Sequence, residues 1–204
     1  MWTRDNFTAR SVIVPGPELR IDEVALSYPC LCGLLEQQII NILHKSYSMK
    51  YNDAYKLLHE SMHVENPIIR QIIEGIIKSH DRGIPLLINR NPTINYGGII
   101  SVYCVKISHG FTMSISLPIL EGLAADFDGD TLNILLIINK DFQTAAENVF
   151  NPRNAMYISK NDGMFNNSYN HKRDTIINMN TLAHLSRQYY TPEQIELIRQ
   201  AQSG

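Results

Sequence analysis

The 204-residue chain contains no apolar run near the roughly 18 residues that a membrane span needs, and its start, Met1-Trp2-Thr3-Arg4-Asp5-Asn6, lacks the apolar core of a signal peptide. A cytoplasmic protein without a membrane partner is expected. An excess of either charge is also missing: 18 Lys and Arg face 20 Asp and Glu, for a formal net charge of −2. That balance excludes coating of nucleic acid by bulk positive charge but leaves room for a few placed arginines. Cysteine is scarce. Cys30, Cys32 and Cys104 cannot all pair, and Cys30-Leu31-Cys32 has no second Cys or His pair at finger spacing, so buried reduced thiols are expected and zinc is not. The sequons at Asn6-Phe7-Thr8 and Asn166-Asn167-Ser168 carry no weight without a secretory route.

What is present is a globular composition, 44% hydrophobic and 19% charged, enough for one domain with an appendage. Arg10 to Pro17 is a β-branched run stopped by Pro15-Gly16-Pro17, which predicts a strand entering a tight corner. The period then changes. Leu31, Leu34, Leu35, Gln38, Ile39, Ile42 and Leu43 recur at helical spacing, as do residues 51–63 and 67–80, with Pro67 placed as a first-turn residue. Residues 28–83 therefore read as a helical insertion. Strand patterns return at Leu86-Leu87-Ile88, at 99–107, at 111–117 after a His109-Gly110 turn, and at 132–138. Only Arg90, Lys106 and Glu121 carry charge between residues 84 and 125, which suits strands buried on both faces or closed into a barrel. Short helices at 141–148, 175–187 and 192–200, with an Asn-rich loop at 159–172, complete the chain.

The most informative stretch is Asp126-Phe127-Asp128-Gly129-Asp130, where carboxylates at i, i+2 and i+4 of an extended chain share one face. Three like charges repel, and a bound cation neutralises them. An all-oxygen ligand set suits Mg²⁺ or Mn²⁺. Flat strand geometry spaces alternate carboxylates about 6–7 Å apart, so the chain must curl to share one ion, and Gly129 permits it. Two other readings compete. An Asp-Gly-Asp turn between strands is common. A calcium loop of the EF-hand type needs Gly at its sixth position and Glu at its twelfth, where this chain has Thr131 and Ile137, so that reading fails.

A second motif, His59-Glu60-Ser61-Met62-His63, matches the His-Glu-x-x-His pattern of zinc metallopeptidases, in which one helical face carries both imidazoles and Glu is the general base. Pro67 follows closely, and Glu65, Glu74 and His80 are the only neighbouring candidates for a third ligand, each explicable as a surface residue. Imidazoles on a solvated helical face are the simpler reading. Tyr189-Tyr190, the 161–170 loop and Lys172-Arg173 could touch nucleic acid, but a surface helix end and a loop explain them equally well.

Three blocks in order carry a family resemblance: Arg10-Ser11-Val12-Ile13-Val14-Pro15-Gly16-Pro17-Glu18-Leu19, Leu87-Ile88-Asn89-Arg90-Asn91-Pro92-Thr93, and Ala125 to Asp130. Together they resemble the largest, β′-type, subunit of multisubunit DNA-dependent RNA polymerases over roughly residues 4–140, with a weaker continuation through Asn151-Pro152. The resemblance implies an α+β fold: a double-psi β-barrel from residues 1–27 and 84–140, a helical insertion at 28–83, and a helical and loop extension at 141–204. It implies that Asp126, Asp128 and Asp130 hold the catalytic Mg²⁺ for nucleotide addition to an RNA 3′ end. It implies that Arg90, beside Pro92 and Thr93, contacts the nucleotide sugar, and that Arg4 and Arg10 lie near the template and hybrid. Partners would be a β-type subunit, the remaining β′-type pieces, template DNA, nascent RNA and nucleoside triphosphates.

The departures are specific. Ala124 stands where the family usually has the Asn that helps recognise the ribose 2′-hydroxyl, and Asn95-Tyr96 replaces its His-Arg pair. Such divergence resembles a viral relative, of the kind found where large bacteriophages split polymerase subunits among several genes, and a host cytoplasm would then be its location. The length implies a piece of a split subunit or a fragment of a longer chain, without bridge helix, trigger loop or zinc-binding elements. A non-catalytic barrel fragment is the remaining alternative, although retained clustered charge speaks against a decayed site.

Overall fold

Strand formation begins where a buried side chain alternates with exposed ones. In the computed structural model, which describes residues 7–93 and 96–153, β1 (Thr8–Pro15) buries Ser11 and Ile13 while Arg10 and Val12 face out. After the Pro-Gly-Pro corner comes β2 (Glu23–Ser27), whose last four residues are all buried. Four helices follow: α1 (Tyr28–Leu34), α2 (Glu36–Ser46), α3 (Tyr51–Ser61) and α4 (Pro67–Ser79). Pro67 opens α4 as its position predicts, and Asn66 caps it, its Oδ1 accepting the Ile68 N–H at 2.9 Å. Ile69, Ile72, Ile73, Ile76 and Ile77 form the buried stripe of that helix. Truncating the fully buried Ile73 to Ala would cost about 2–5 kcal/mol, the range for a large core side chain.

The chain returns to strands with β3 (Ile84–Asn89), β4 (Ile99–Ser108) and β5 (Met113–Ile115), then makes one helical turn, α5 (Leu120–Leu123). It ends its described course with β6 (Thr131–Leu136) and α6 (Lys140–Phe150). The strand expected over 111–117 contracts to three residues. Phe111, 80% exposed, belongs to the preceding turn, and Leu117-Pro118-Ile119 coils into a 3-10 turn where Pro118 cannot donate to a ladder. The helices expected at 175–187 and 192–200, the Asn-rich loop, Lys172-Arg173, Tyr189-Tyr190 and Arg4 lie outside the described residues.

The six strands close in the order β1-β5-β2-β4-β3-β6. Pairs β1–β5 and β2–β4 are parallel and the other four antiparallel. Closure leaves no edge strand, and this mixed six-stranded barrel with helices is the α+β, double-psi architecture the family resemblance implies. The scarcity of charge has its cause in β4, where Ile100 to Cys104 are buried consecutively because α4 and α6 pack against this strand. Strands and helices share one apolar core. No helix among the described residues is long and apolar enough to cross a membrane.

Candidate functional site

The barrel register brings the sequence-predicted residues together. Arg10 of β1 and Asn89 of β3 both pair with Asn133 of β6, so the end of β3 and the middle of β1 flank the start of β6. Arg90 follows Asn89 directly, and Asp130 immediately precedes β6. Residues 40 and 121 positions apart along the chain thereby meet: Arg90 binds Asp130, and Arg10 Nε donates to Thr131 Oγ1 at 2.8 Å.

The approach to the carboxylates is set by backbone. α5 stops at Ala124, which sits in the left-handed region at φ 49° and ψ 40°. The chain then crosses Asp126 to Asp130 as a turn rather than the extended stretch that the i, i+2, i+4 spacing predicts. Gly129, at φ +118°, makes that possible. Phe127 packs half-buried against the core while Asp126 and Asp128 stay exposed, so the ring anchors the loop and two of its acids face solvent. The Ile13 N–H donates to the Asp130 carbonyl at 3.1 Å, tying the loop to β1.

Asp130 is held most firmly. Arg90 Nε donates to its Oδ2 at 2.8 Å and Arg90 Nη2 to its Oδ1 at 3.2 Å, a two-point fork between side chains each 22% exposed. The Asp126 N–H donates to the same Oδ2 at 2.9 Å. Arg90's hydrogen bonds first, and the Asp126 N–H second, hold the Asp130 carboxyl below the usual carboxylate value. Asp126 turns its Oδ1 to the Phe127 N–H at 2.8 Å.

Three carboxylates without thiolate or imidazole have the donor chemistry of a hard divalent cation. Their arrangement is not a closed cage: among the described residues no three His, Cys, Asp or Glu side chains gather as a metal site. Both oxygens of Asp130 are turned onto Arg90, and Asp126 Oδ1 onto the Phe127 N–H. Sequence reasoning named Arg90 and Asp130 but missed that they pair, since nothing local in either segment encodes it.

Pro92 and Thr93 are exposed beside the site rather than in it. Thr93 Oγ1 donates to Asn89 Oδ1 at 2.8 Å, and Asn89 Nδ2 donates to Asn91 Oδ1 at 3.0 Å, so Asn89 holds the Asn91–Pro92 turn, whose peptide is cis. Asn89 was missed. The Asn-x-Asn-Pro pattern was its signal, because Asn side chains satisfy turn backbones and one another. A groove of about 910 Å³ runs beside β1, β3 and β6, lined by Arg10, Asn89 and Asn133 but by none of the three carboxylates.

The His-Glu-x-x-His segment is not one continuous helical face. α3 ends at Ser61, whose Oγ donates to the Leu58 carbonyl at 2.6 Å, and His63 lies beyond the helix. His59 packs its ring against Tyr55, with centroids 5.3 Å apart. Among the cysteines, Cys32 and Cys104 are buried and Cys30 half-buried. Burial pushes the Cys30 and Cys104 thiols up to about 12 and Cys32 up to about 11, so all three stay protonated near neutral pH.

Comparison with known proteins gives the family. Residues 3–152 match the family described as RNA polymerase Rpb1, domain 2. The chain is 28% identical over 164 residues to DNA-directed RNA polymerase subunit beta′ of Flavobacterium psychrophilum and 29% identical over 164 residues to that of Bacteroides fragilis. Each alignment covers 76% of this chain and 11% of the relative. Subunit beta′ of Nephroselmis olivacea is 30% identical over 150 residues, or 71% of this chain and 17% of the relative. The chain thus spans only a small part of the length of the curated relatives it matches. A closed barrel, three aspartates within Asp126–Asp130 on the turn into its last strand and a family match that spans both establish that the chain belongs to the RNA polymerase Rpb1, domain 2 family and is a segment of a β′-type subunit.

Proposed function

We propose that this segment carries the catalytic carboxylates of a DNA-directed RNA polymerase, with Asp126, Asp128 and Asp130 holding Mg²⁺, or Mn²⁺ in its place. The observation that carries the reading is that Arg90, just after β3, meets Asp130 and Arg10 of β1 meets Thr131 at the turn that carries the three acids into β6. When bound, the ion favours the alkoxide form of an RNA 3′-hydroxyl and offsets charge at the reacting phosphate. The chain's own residues do the positioning. Phe127 and the Gly129 turn fix where the carboxylates stand. Arg90 offers a planar set of donors suited to ribose or phosphate oxygens, and Arg10, steadied by Thr131, adds positive charge for a nucleic-acid backbone. Pro92 and Thr93 shape the turn beside Arg90. Ala124 has no side-chain donor or acceptor, so it contributes no hydrogen bond to a ribose 2′-hydroxyl.

The segment works only in an assembly with a β-type subunit, the remaining β′-type pieces, template DNA, RNA and nucleoside triphosphates, in the cytoplasm of a cell or of a viral host. The test is RNA primer extension on a template scaffold with the chain assembled with its candidate polymerase partners. Extension should vanish in Asp128→Asn while assembly survives. Undiminished extension would leave the segment a structural barrel.

A further inference from the structure

The groove of about 910 Å³ beside β1, β3 and β6 is lined by none of the three carboxylates, so the reading above leaves it without an occupant. Barrel register builds its floor. Arg10, Asn133 and Asn89 are cross-strand partners on three neighbouring strands, and partners share a face, so their side chains form one polar row with strands about 4.8 Å apart. Their neighbours Ser11, Ile134 and Ile88 are buried, which turns the row outward. The donors of this row are open: Arg10 uses only Nε, on Thr131, and among the described residues neither its Nη groups nor the Asn133 amide has a hydrogen-bond partner. Across the groove, α2 contributes Glu36, half-buried and with no ion-pair partner among the described residues. Phe111, in the turn between β4 and β5, also lines the groove, yet its ring is 80% exposed and belongs to no part of the core.

We infer that this groove holds a single strand of RNA, with a base stacked on Phe111, a phosphate on Arg10 and ribose hydroxyls on Asn133 and Glu36. An exposed aromatic ring beside a guanidinium is the pairing that binds single strands, the ring taking any base by its face and the cation taking the backbone. Glu36 sets the orientation and the sugar. Its charge repels phosphate and keeps the backbone on the Arg10 side, while its oxygens accept from a 2′-hydroxyl, which DNA lacks. The Asn133 amide both donates and accepts, as the same hydroxyl does. A polypeptide matches these groups only with one particular sequence, whereas RNA brings phosphate, hydroxyl and base at every nucleotide. The choice of nucleic acid rests on the polymerase reading above, but the groove itself involves no metal ion.

The full 204-residue chain tests this by fluorescence anisotropy with a labelled single-stranded RNA of mixed sequence, in EDTA so that no divalent ion contributes. Phe111→Ala should weaken binding about fivefold or more, the effect of losing one stacked base, and Phe111→Tyr should retain it. The ring's exposure means that its removal leaves the core intact, which circular dichroism checks. Arg10→Gln should weaken binding and lower the salt dependence by about one unit of logarithmic slope. DNA of the same sequence should bind less tightly than RNA, and Glu36→Gln should narrow that difference. The inference is overturned if Phe111→Ala binds RNA as the wild type does, or if RNA and DNA bind equally. A polypeptide occupant gives its own signal: in Phe111→Cys assembled with its candidate polymerase partners, shielding of the new thiol from maleimide before nucleic acid is added would mean that protein fills the groove, and would also overturn it. A chain that binds no RNA refutes the groove's role and leaves the primer-extension test of the carboxylates standing.

Discussion

Gly129 is the residue whose replacement most cleanly separates backbone from packing at the site. Its φ is +118°, and a methyl group added there meets nothing within 4 Å, so Gly129→Ala introduces strain without crowding. The left-handed well already costs an L residue about 1–2 kcal/mol, and +118° lies beyond it, where about 2–3 kcal/mol is a fair allowance. Alanine's smaller unfolded-state entropy returns about 0.4–1 kcal/mol. A net loss of about 1–2.6 kcal/mol is therefore expected if the loop keeps its shape. Any relaxation of φ toward a permitted value re-aims Asp128 and Asp130, so part of the cost is transferred to ion affinity. Gly110, at φ +74° with equally open surroundings, sits in the turn between β4 and β5 and serves as the control. Gly110→Ala should cost about 0–1.6 kcal/mol and leave ion affinity alone, because it moves no carboxylate. Urea denaturation followed by circular dichroism, paired with Mn²⁺ binding, reads both effects. The reasoning is refuted if Gly129→Ala matches the wild type in both stability and Mn²⁺ affinity.

Three other outcomes follow from the geometry. The Asp22 carboxylate is 3% exposed and is paired by Arg82, whose guanidinium lies 4.4 Å from the centroid of the Tyr103 ring. Arg82→Met keeps the stem but strands a buried charge, and with Arg82 itself 38% exposed the usual penalty shrinks to about 2 kcal/mol in urea denaturation; adding Asp22→Asn should recover most of it. Asp130's lowered pKa means that its ion pair stabilises the fold above the usual carboxylate value, a contribution lost as pH falls through the lower folded value. A carboxyl NMR titration should place the Asp130 midpoint below that of an unpaired Asp and move it upward in Arg90→Gln; an unchanged midpoint would count against the pair. Ala124→Asn should raise stability by about 0.5–1 kcal/mol, since Asn tolerates the left-handed conformation that Ala124 adopts, and a lowered denaturation midpoint would contradict this.

Much of the architecture is legible in local pattern. The Ile stripe of α4, the Pro67 start and the β-branched run of β1 announce themselves by period and punctuation. β2 does not: with Val24 to Ser27 all buried, it shows no alternation and is too short to mark itself by composition. α5 is hidden for a similar reason, a single turn inside an apolar run. The pentad is conspicuous as charge, yet its conformation depends on one glycine dihedral, and its strongest partner is 40 residues away across a strand pairing. Barrel register decides that partnership, and register is a property of all six strands together. Arg10, at Thr131 across 121 residues, is the same case.

The most direct test of the central claim substitutes the chemistry of one ligand. Asp128→Cys, assembled with its candidate polymerase partners, replaces a hard carboxylate with a soft thiolate donor. RNA primer extension should be lost with Mg²⁺ and partly restored by Mn²⁺ or Cd²⁺, which accept sulfur more readily. Extension supported by Mg²⁺ at the wild-type rate would mean that Asp128 does not hold the catalytic ion.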